Sequence, residues 1–260
     1  MAKKRKQKIN RYFILFGVLF LLLLAYPVLV YLSQMREKKE AEFALYPGFD
    51  IQLPVGYAIH GIDVSNHQDY IDWSLVQQMQ VQDVRIGFVF IKATEGLSSV
   101  DKQFARNWQL AKQSGIPRGA YHFFIATKSG IEQAENFIHT VQLEPGDLPP
   151  VLDIEQLYGA NPDSMRLQVK AFLETVEAAY KVKPIIYSYA DFYVQNLGKE
   201  FDGYPLWVAH YNLEKDKEVV VRDWVFWQHN KEGHVNGIVP KVDFDVFSGD
   251  SSDFKQLLLK

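Results

Sequence analysis

From residue 58 onward, short apolar runs alternate with stretches in which apolar residues recur every three or four positions, so that strands and amphipathic helices follow one another. The runs at 58–64, 86–93, 118–124, 150–154, 184–189, 206–210, 224–228 and 242–247 predict eight strands. Helical periodicity at 73–79, 101–114, 131–141 and 163–180 places a helix after each of the first four, with Asn161 and Pro162 marking the approach to the longest. A short helix fits at 191–197 after the fifth strand. The last three strands are separated mostly by loops, and 253–259 predicts a closing helix. Eight strands with interleaved helices imply an α/β fold, a TIM-like β/α barrel. The spacing makes it an irregular one, with helices missing after the later strands, spanning residues 58–260.

A different pattern precedes the barrel. Residues 13–32 are almost unbrokenly apolar, about the length needed to cross a hydrocarbon core of roughly 30 Å. They are expected to form a transmembrane helix. Lys3, Lys4, Arg5, Lys6, Lys8 and Arg11 stand before this run with no acid among them, which predicts a cytoplasmic basic tail at 1–12 and an exported remainder. The small-x-small residues around Ala41 resemble a signal-peptide cleavage site but lie well beyond the apolar run, so retention as a membrane anchor is expected. The charged stretch after it and the Pro- and Gly-containing stretch up to Tyr57 predict a stalk and linker at 33–57.

Composition narrows the function. Of 28 basic residues six precede the span, leaving 22 against 31 acidic ones, so the exported body is acidic and nucleic acid is an improbable partner. Cysteine is absent, which removes disulfides, thiolate metal sites and a Cys nucleophile. The seven histidines lack the i, i+4 spacing of a helical zinc pair, and neither Gly-x-Ser-x-Gly nor a phosphate-cradling Gly loop occurs. No metal or other cofactor is expected.

The stretch Pro149-Pro150-Val151-Leu152-Asp153-Ile154-Glu155 carries the chemistry. Alternate residues of a strand face the same way, so Asp153 and Glu155 would share one wall with Cα atoms about 6.5–7 Å apart. Like charges at that separation push one pKa up, leaving one carboxyl able to donate a proton beside an ionised neighbour. Glycosidic-bond cleavage uses that division of labour. Asp63, Glu95, Tyr121, Tyr187, Tyr211, Gln228 and Asp243 also fall at or near strand ends, where barrel active sites are built, although Asp243 opens its run instead of closing it.

The segments His60-Gly61-Ile62-Asp63-Val64-Ser65, Phe90-Ile91-Lys92-Ala93-Thr94-Glu95-Gly96, Gly119-Ala120-Tyr121-His122-Phe123-Phe124, Pro150 to Glu155, Leu206-Trp207-Val208-Ala209-His210-Tyr211, Phe226-Trp227-Gln228 and Val242-Asp243-Phe244-Asp245-Val246-Phe247 together resemble the glycoside hydrolase family 25 lysozymes, which are N-acetylmuramidases. The resemblance implies a barrel with helices missing late in the chain. It also implies cleavage of the β-1,4 bond between N-acetylmuramic acid and N-acetylglucosamine, with peptidoglycan glycan strands as the partner; the oligomeric state is left open, a monomer being favoured. In that family's scheme Glu155 takes the place of the general acid/base. Asp153 matches the carboxylate that assists the substrate's 2-acetamido group, giving retention, and Asp63 and Asp243 match further cleft acids. Tyr121, Tyr187, Trp207, Tyr211 and Gln228 are the expected sugar contacts. Where many members carry Asn this chain has Asp245, expected to be structural or peripheral. The alternatives are a catalytically silent glycan-binding barrel and a chitinase-like glycosidase.

Overall fold

A computed structural model describes residues 42–211 and 222–260, together with Phe20 and Tyr26. The expected basic tail at 1–12 lies outside the described residues, as does the expected span at 13–32 apart from those two positions. Among the described residues no helix is long and apolar enough to cross a membrane.

The first elements are two short strands, β1 (Phe43–Tyr46) and β2 (Ile51–Pro54), paired antiparallel around a turn at 47–50. Of the expected stalk and linker at 33–57, residues 33–41 lie outside the described residues, while 43–54 form this hairpin in place of an open linker. Phe49, Ile51 and Leu53 are buried, Phe49 against Phe244 with ring centroids 5.2 Å apart, and Phe43 meets Trp227 edge-on at 5.9 Å. The residues from Glu42 to Lys260 form one compact unit.

The chain then runs through β3 (His60–Val64), α1 (Trp73–Gln78), β4 (Gln80–Val81), β5 (Val84–Glu95), β6 (Ser99–Val100) and α2 (Phe104–Gln113). Next come β7 (Arg118–Phe123), α3 (Gly130–Thr140), β8 (Val151–Asp153), α4 (Pro162–Tyr180), β9 (Ile185–Tyr189), α5 (Ala190–Asn196) and β10 (Leu206–Ala209). The last elements are β11 (Phe226–Gly233), β12 (Val242–Phe247) and α6 (Ser251–Leu257). Helix starts follow local chemistry. Asp72 accepts from the amides of Ser74 and Leu75 ahead of α1, and Asn161 caps α4 with Pro162 in its first turn, while α4 ends as Lys181 turns left-handed at φ 60°.

Eight strands close a barrel in the order β3-β12-β11-β10-β9-β8-β7-β5, with β5 pairing back to β3. All neighbours are parallel except β12, which runs antiparallel to both β11 and β3. That departs from the all-parallel TIM pattern. The eight residues between β11 and β12 are too few for the crossover of a dozen or more that a parallel return needs. β12 therefore comes straight back. Its first residues lie at the same barrel end as the last residues of the parallel strands, which puts Asp243 opposite Asp63 in register.

The barrel interior is aromatic at one end. Phe88, Phe90, Phe226 and Phe247 fill it, and Phe254 of α6 closes the opening, 5.8 Å from Phe88 and 5.2 Å from Phe247. Gly61 makes room for this plug, since a Cβ there would sit 2.4 Å from the Phe88 ring. Above the plug the inward positions turn polar.

Candidate active site

Polar inward residues surround a cleft of about 330 Å³ at the C-terminal end of the parallel strands. Asp63, Asp153, Glu155, Asp243, Tyr121, Tyr187, Trp207, Tyr211 and Gln228, the nine residues singled out in the sequence, all line it. Glu95 does not. It stands at the rim with its Oε2 accepting from Lys92 Nζ at 2.6 Å.

β8 is only three residues long, yet its end is held from both sides. The Asp153 carbonyl accepts from Phe124 N at 2.8 Å, Ile154 N donates to the Tyr187 carbonyl at 3.0 Å, and Ser188 Oγ donates to the Ile154 carbonyl at 2.7 Å. The extended conformation thus persists past the last ladder pair. Ile154 is buried between two residues that both reach the cleft. Asp153 is 6% exposed while Glu155 is half-buried, so the two acids share a wall at different depths.

Burial raises the pKa of Asp153 well above the ordinary carboxylate range, Glu155 raises it further, and Lys92 opposes the shift. Glu155 is itself raised by burial, with Lys92 and the Tyr187 hydroxyl opposing. Across the cleft, burial pushes Asp63 well up, and Asp243 and Asp245 add to it. Asp243 rises to about 7, chiefly through burial and then through Glu155, against the pull of Lys231. Near neutral pH these acids compete for protons. Such a wall can donate a proton at one position while holding charge at another.

Tyr187 Oη donates to Gln228 Oε1 at 2.7 Å, Tyr211 Oη donates to the same oxygen, and Gln228 Nε2 donates to Asp63 Oδ2 at 2.5 Å. The amide of Gln228 is thereby fixed from both ends, and it aims Asp63. Trp207 stacks on Phe90 with centroids 4.4 Å apart and gives its indole N–H to Asp245 Oδ1 at 2.8 Å. Trp207 and Gln228, each only 2% exposed, show little surface to the cleft they line. Asp245 is not peripheral. It is completely buried beneath Asp63 and Asp243.

Lys92, Lys231, Tyr189, Phe123, Ser65, His67 and Gln68 line the same cleft, and sequence reasoning gave none of them a role in the site, although Lys92, Phe123 and Ser65 lie in the matched segments. One signal was available for Lys92. It follows Phe90 by two positions in an otherwise apolar strand, so it occupies the inward phase where a lysine has no packing role.

Comparison with known proteins agrees with this geometry. The sequence profile described as "Glycosyl hydrolases family 25" matches residues 62–238. The chain is 46% identical over 202 residues to the protein YegX of Escherichia coli (strain K12), covering 77% of this chain and 74% of that protein. It is 32% identical over 209 residues to "Lysozyme M1" of Streptomyces globisporus, covering 75% and 69%. Among solved structures, a family 25 glycosyl hydrolase from Bacillus anthracis superposes with a TM-score of 0.71 at 31% identity, covering 80% of this chain and 96% of that one. The matched profile takes in the strand ends that carry Asp63, Asp153, Glu155 and Gln228, and on these findings the chain belongs to glycosyl hydrolases family 25 and is a glycoside hydrolase.

Proposed function

We propose that the chain is an exported muramidase that cleaves the β-1,4 bond between N-acetylmuramic acid and N-acetylglucosamine in peptidoglycan. The observation that carries this reading is the pair Asp153 and Glu155 on one wall of a cleft whose facing wall holds Asp63 and Asp243. Relatives named "Lysozyme M1" and, in Clostridium acetobutylicum, "Autolytic lysozyme" support it.

Glu155 is the more solvated of the pair, and its raised pKa suits a group that gives a proton to the departing sugar oxygen. Asp153 lies deeper and accepts from the N–H of the substrate's 2-acetamido group, steadying that amide as its oxygen attacks the anomeric carbon. Water then opens the cyclic intermediate, and Glu155, now a carboxylate, takes the proton. Two displacements at one carbon give net retention. Asp63 and Asp243 orient sugar hydroxyls, Tyr121 offers a ring to the apolar faces of the sugar, and Tyr187, Tyr211, Gln228 and Trp207 hold the acids in place. The apolar run at 13–32 tethers the enzyme to the membrane, with residues 1–12 in the cytoplasm and the barrel on the wall side.

Digestion of purified peptidoglycan followed by mass spectrometry of the products tests the reading. New N-acetylmuramic acid reducing ends are expected. N-acetylglucosamine ends or chitin-only cleavage would transfer the chain to a different glycosidase class, and saturable binding with no new ends would make it a silent barrel. Early-time NMR should show a β-configured first product. Resistance of the full chain to alkaline extraction from membranes tests the anchor.

A further inference from the structure

Asp245 has no part in the scheme above, yet its surroundings are unusual for a carboxyl. It faces the barrel interior two positions below Asp243 and is 0% exposed. Its Oδ1 accepts from Trp207 Nε1 at 2.8 Å. Its Oδ2 is equally shielded and meets no N–H or O–H donor. The register pairs Asp243 with Asp63 and Asp245 with Gly61, so Asp63 is the diagonal neighbour of Asp245, and its carboxyl lies within hydrogen-bonding reach.

Two carboxyl groups in contact, with no cation between them among the described residues, do not both ionise, so one of them holds a proton. Their other partners decide which. Burial and the neighbouring acids raise Asp63 too, but it lines the open cleft and has a donor on Oδ2 from Gln228, whose own oxygen is held by two tyrosine hydroxyls, so a negative charge is better served there than on fully buried Asp245. Asp245 has one indole N–H and no solvent. The charged groups facing it are Asp63 from β3 and Asp243 from its own strand, while β10, β11 and β5 present Trp207, Gln228 and Phe90. Trp207 and Asp63 each offer Asp245 a hydrogen bond, but complete burial, the largest effect, and the neighbouring Asp243 weigh against a charge there. The proton belongs on Asp245, and its only acceptor is Asp63.

We propose that Asp245 is a positioning residue, a neutral carboxyl that accepts from Trp207 and donates its proton to Asp63, so that Asp63 stands ionised and correctly turned at the cleft floor. For its effect on catalysis the inference rests on the glycosidase reading above; for the location of the proton it does not. It follows that activity falls at alkaline pH, when Asp245 ionises and repels Asp63. An amide in place of the acid should hold both bonds without titrating, its oxygen accepting from Trp207 and its nitrogen donating to Asp63.

The test compares the full wild-type chain with Asp245→Asn and Asp245→Ala. In the infrared at neutral pH, the wild type minus Asp245→Asn difference should contain the carbonyl stretch of a protonated carboxyl. On peptidoglycan, Asp245→Asn should keep kcat within about threefold and carry activity to higher pH, while Asp245→Ala should lose about 10²-fold in kcat with little change in KM. A missing infrared band, or an alkaline limb unchanged in Asp245→Asn, would overturn the proposal even if Asp245→Ala fails to fold. A wild-type chain that shows the band yet cleaves no peptidoglycan supports the proton's location and instead removes the muramidase reading.

Discussion

Two places in this barrel bury charged side chains, and they treat them in opposite ways. At the start of β7, Arg118 is sealed in with Asp147. The guanidinium donates from Nε to Oδ1 at 2.8 Å and from Nη2 to Oδ2 at 3.3 Å, gives a further bond to the Trp108 carbonyl, and lies 3.8 Å over the Trp108 ring. Asp147 also accepts from the Glu144 amide at 2.9 Å. Every charge has a partner. At the other end, Asp63, Asp153, Glu155 and Asp243 crowd one cleft above buried Asp245; among the described residues only Lys92 and Lys231 are set against them, and Asp153 Oδ1 has no partner. A fold selected for stability alone resolves such frustration. Its persistence where the strands open marks the end that does chemistry.

The sharpest way to break the contrast is to remove function at one end and stability at the other. Glu155→Gln should lower turnover on peptidoglycan by about 10³–10⁴-fold, the scale of a lost general acid, with its thermal midpoint unchanged. Arg118→Met should do the reverse. It strands the Asp147 charge in the interior, a loss of about 3–5 kcal/mol in denaturant unfolding, while kcat of the folded fraction stays at the wild-type value.

A smaller effect sharpens the electrostatic side. The folded-state pKa of Asp243, about 7 against an ordinary 3.8, is raised, so its contribution to stability is complete below about pH 4 and is lost as pH climbs through 7. Asp243→Asn removes that loss. Buried neutral His60, His122 and His229 titrate with the opposite sign, so the readout is the difference in melting temperature between variant and wild type. That difference should grow from pH 4 to pH 8, by the equivalent of up to about 4 kcal/mol, in the variant's favour. The smallest effect belongs to the rim. Tyr158 is 45% exposed at φ 50° and near enough to Glu95, Glu155 and Asp153 to feel their charge, so losing its ring in Tyr158→Ala should raise KM about two- to tenfold and leave kcat alone.

How much of this could be read in advance depended on whether the information was periodic. Strand and helix positions were legible because apolar residues at 86–93 or 163–180 repeat with the period of their element. The acids were legible because they interrupt that pattern at strand ends. The direction of β12 was not, since alternation reads the same both ways, and only the shortness of the connection before it held the clue. The hairpin at 43–54 was hidden because its two strands are four residues each and its turn contains Pro47 and Gly48, as a linker would. It covers β11 and β12 on the outside, where the barrel lacks helices. Lys92 and Asp245 needed the three-dimensional neighbourhood, because their importance lies in what they face across the barrel.

Asp153→Asn, measured for melting temperature and for turnover on the same preparation at pH 7, bears most directly on the claim that the cleft acids are kept for chemistry at a cost to the fold. An amide relieves the buried charge, so the melting temperature should hold or rise while turnover collapses. A melting temperature that falls together with turnover would make Asp153 a structural acid, and full turnover would deny it any part in the reaction.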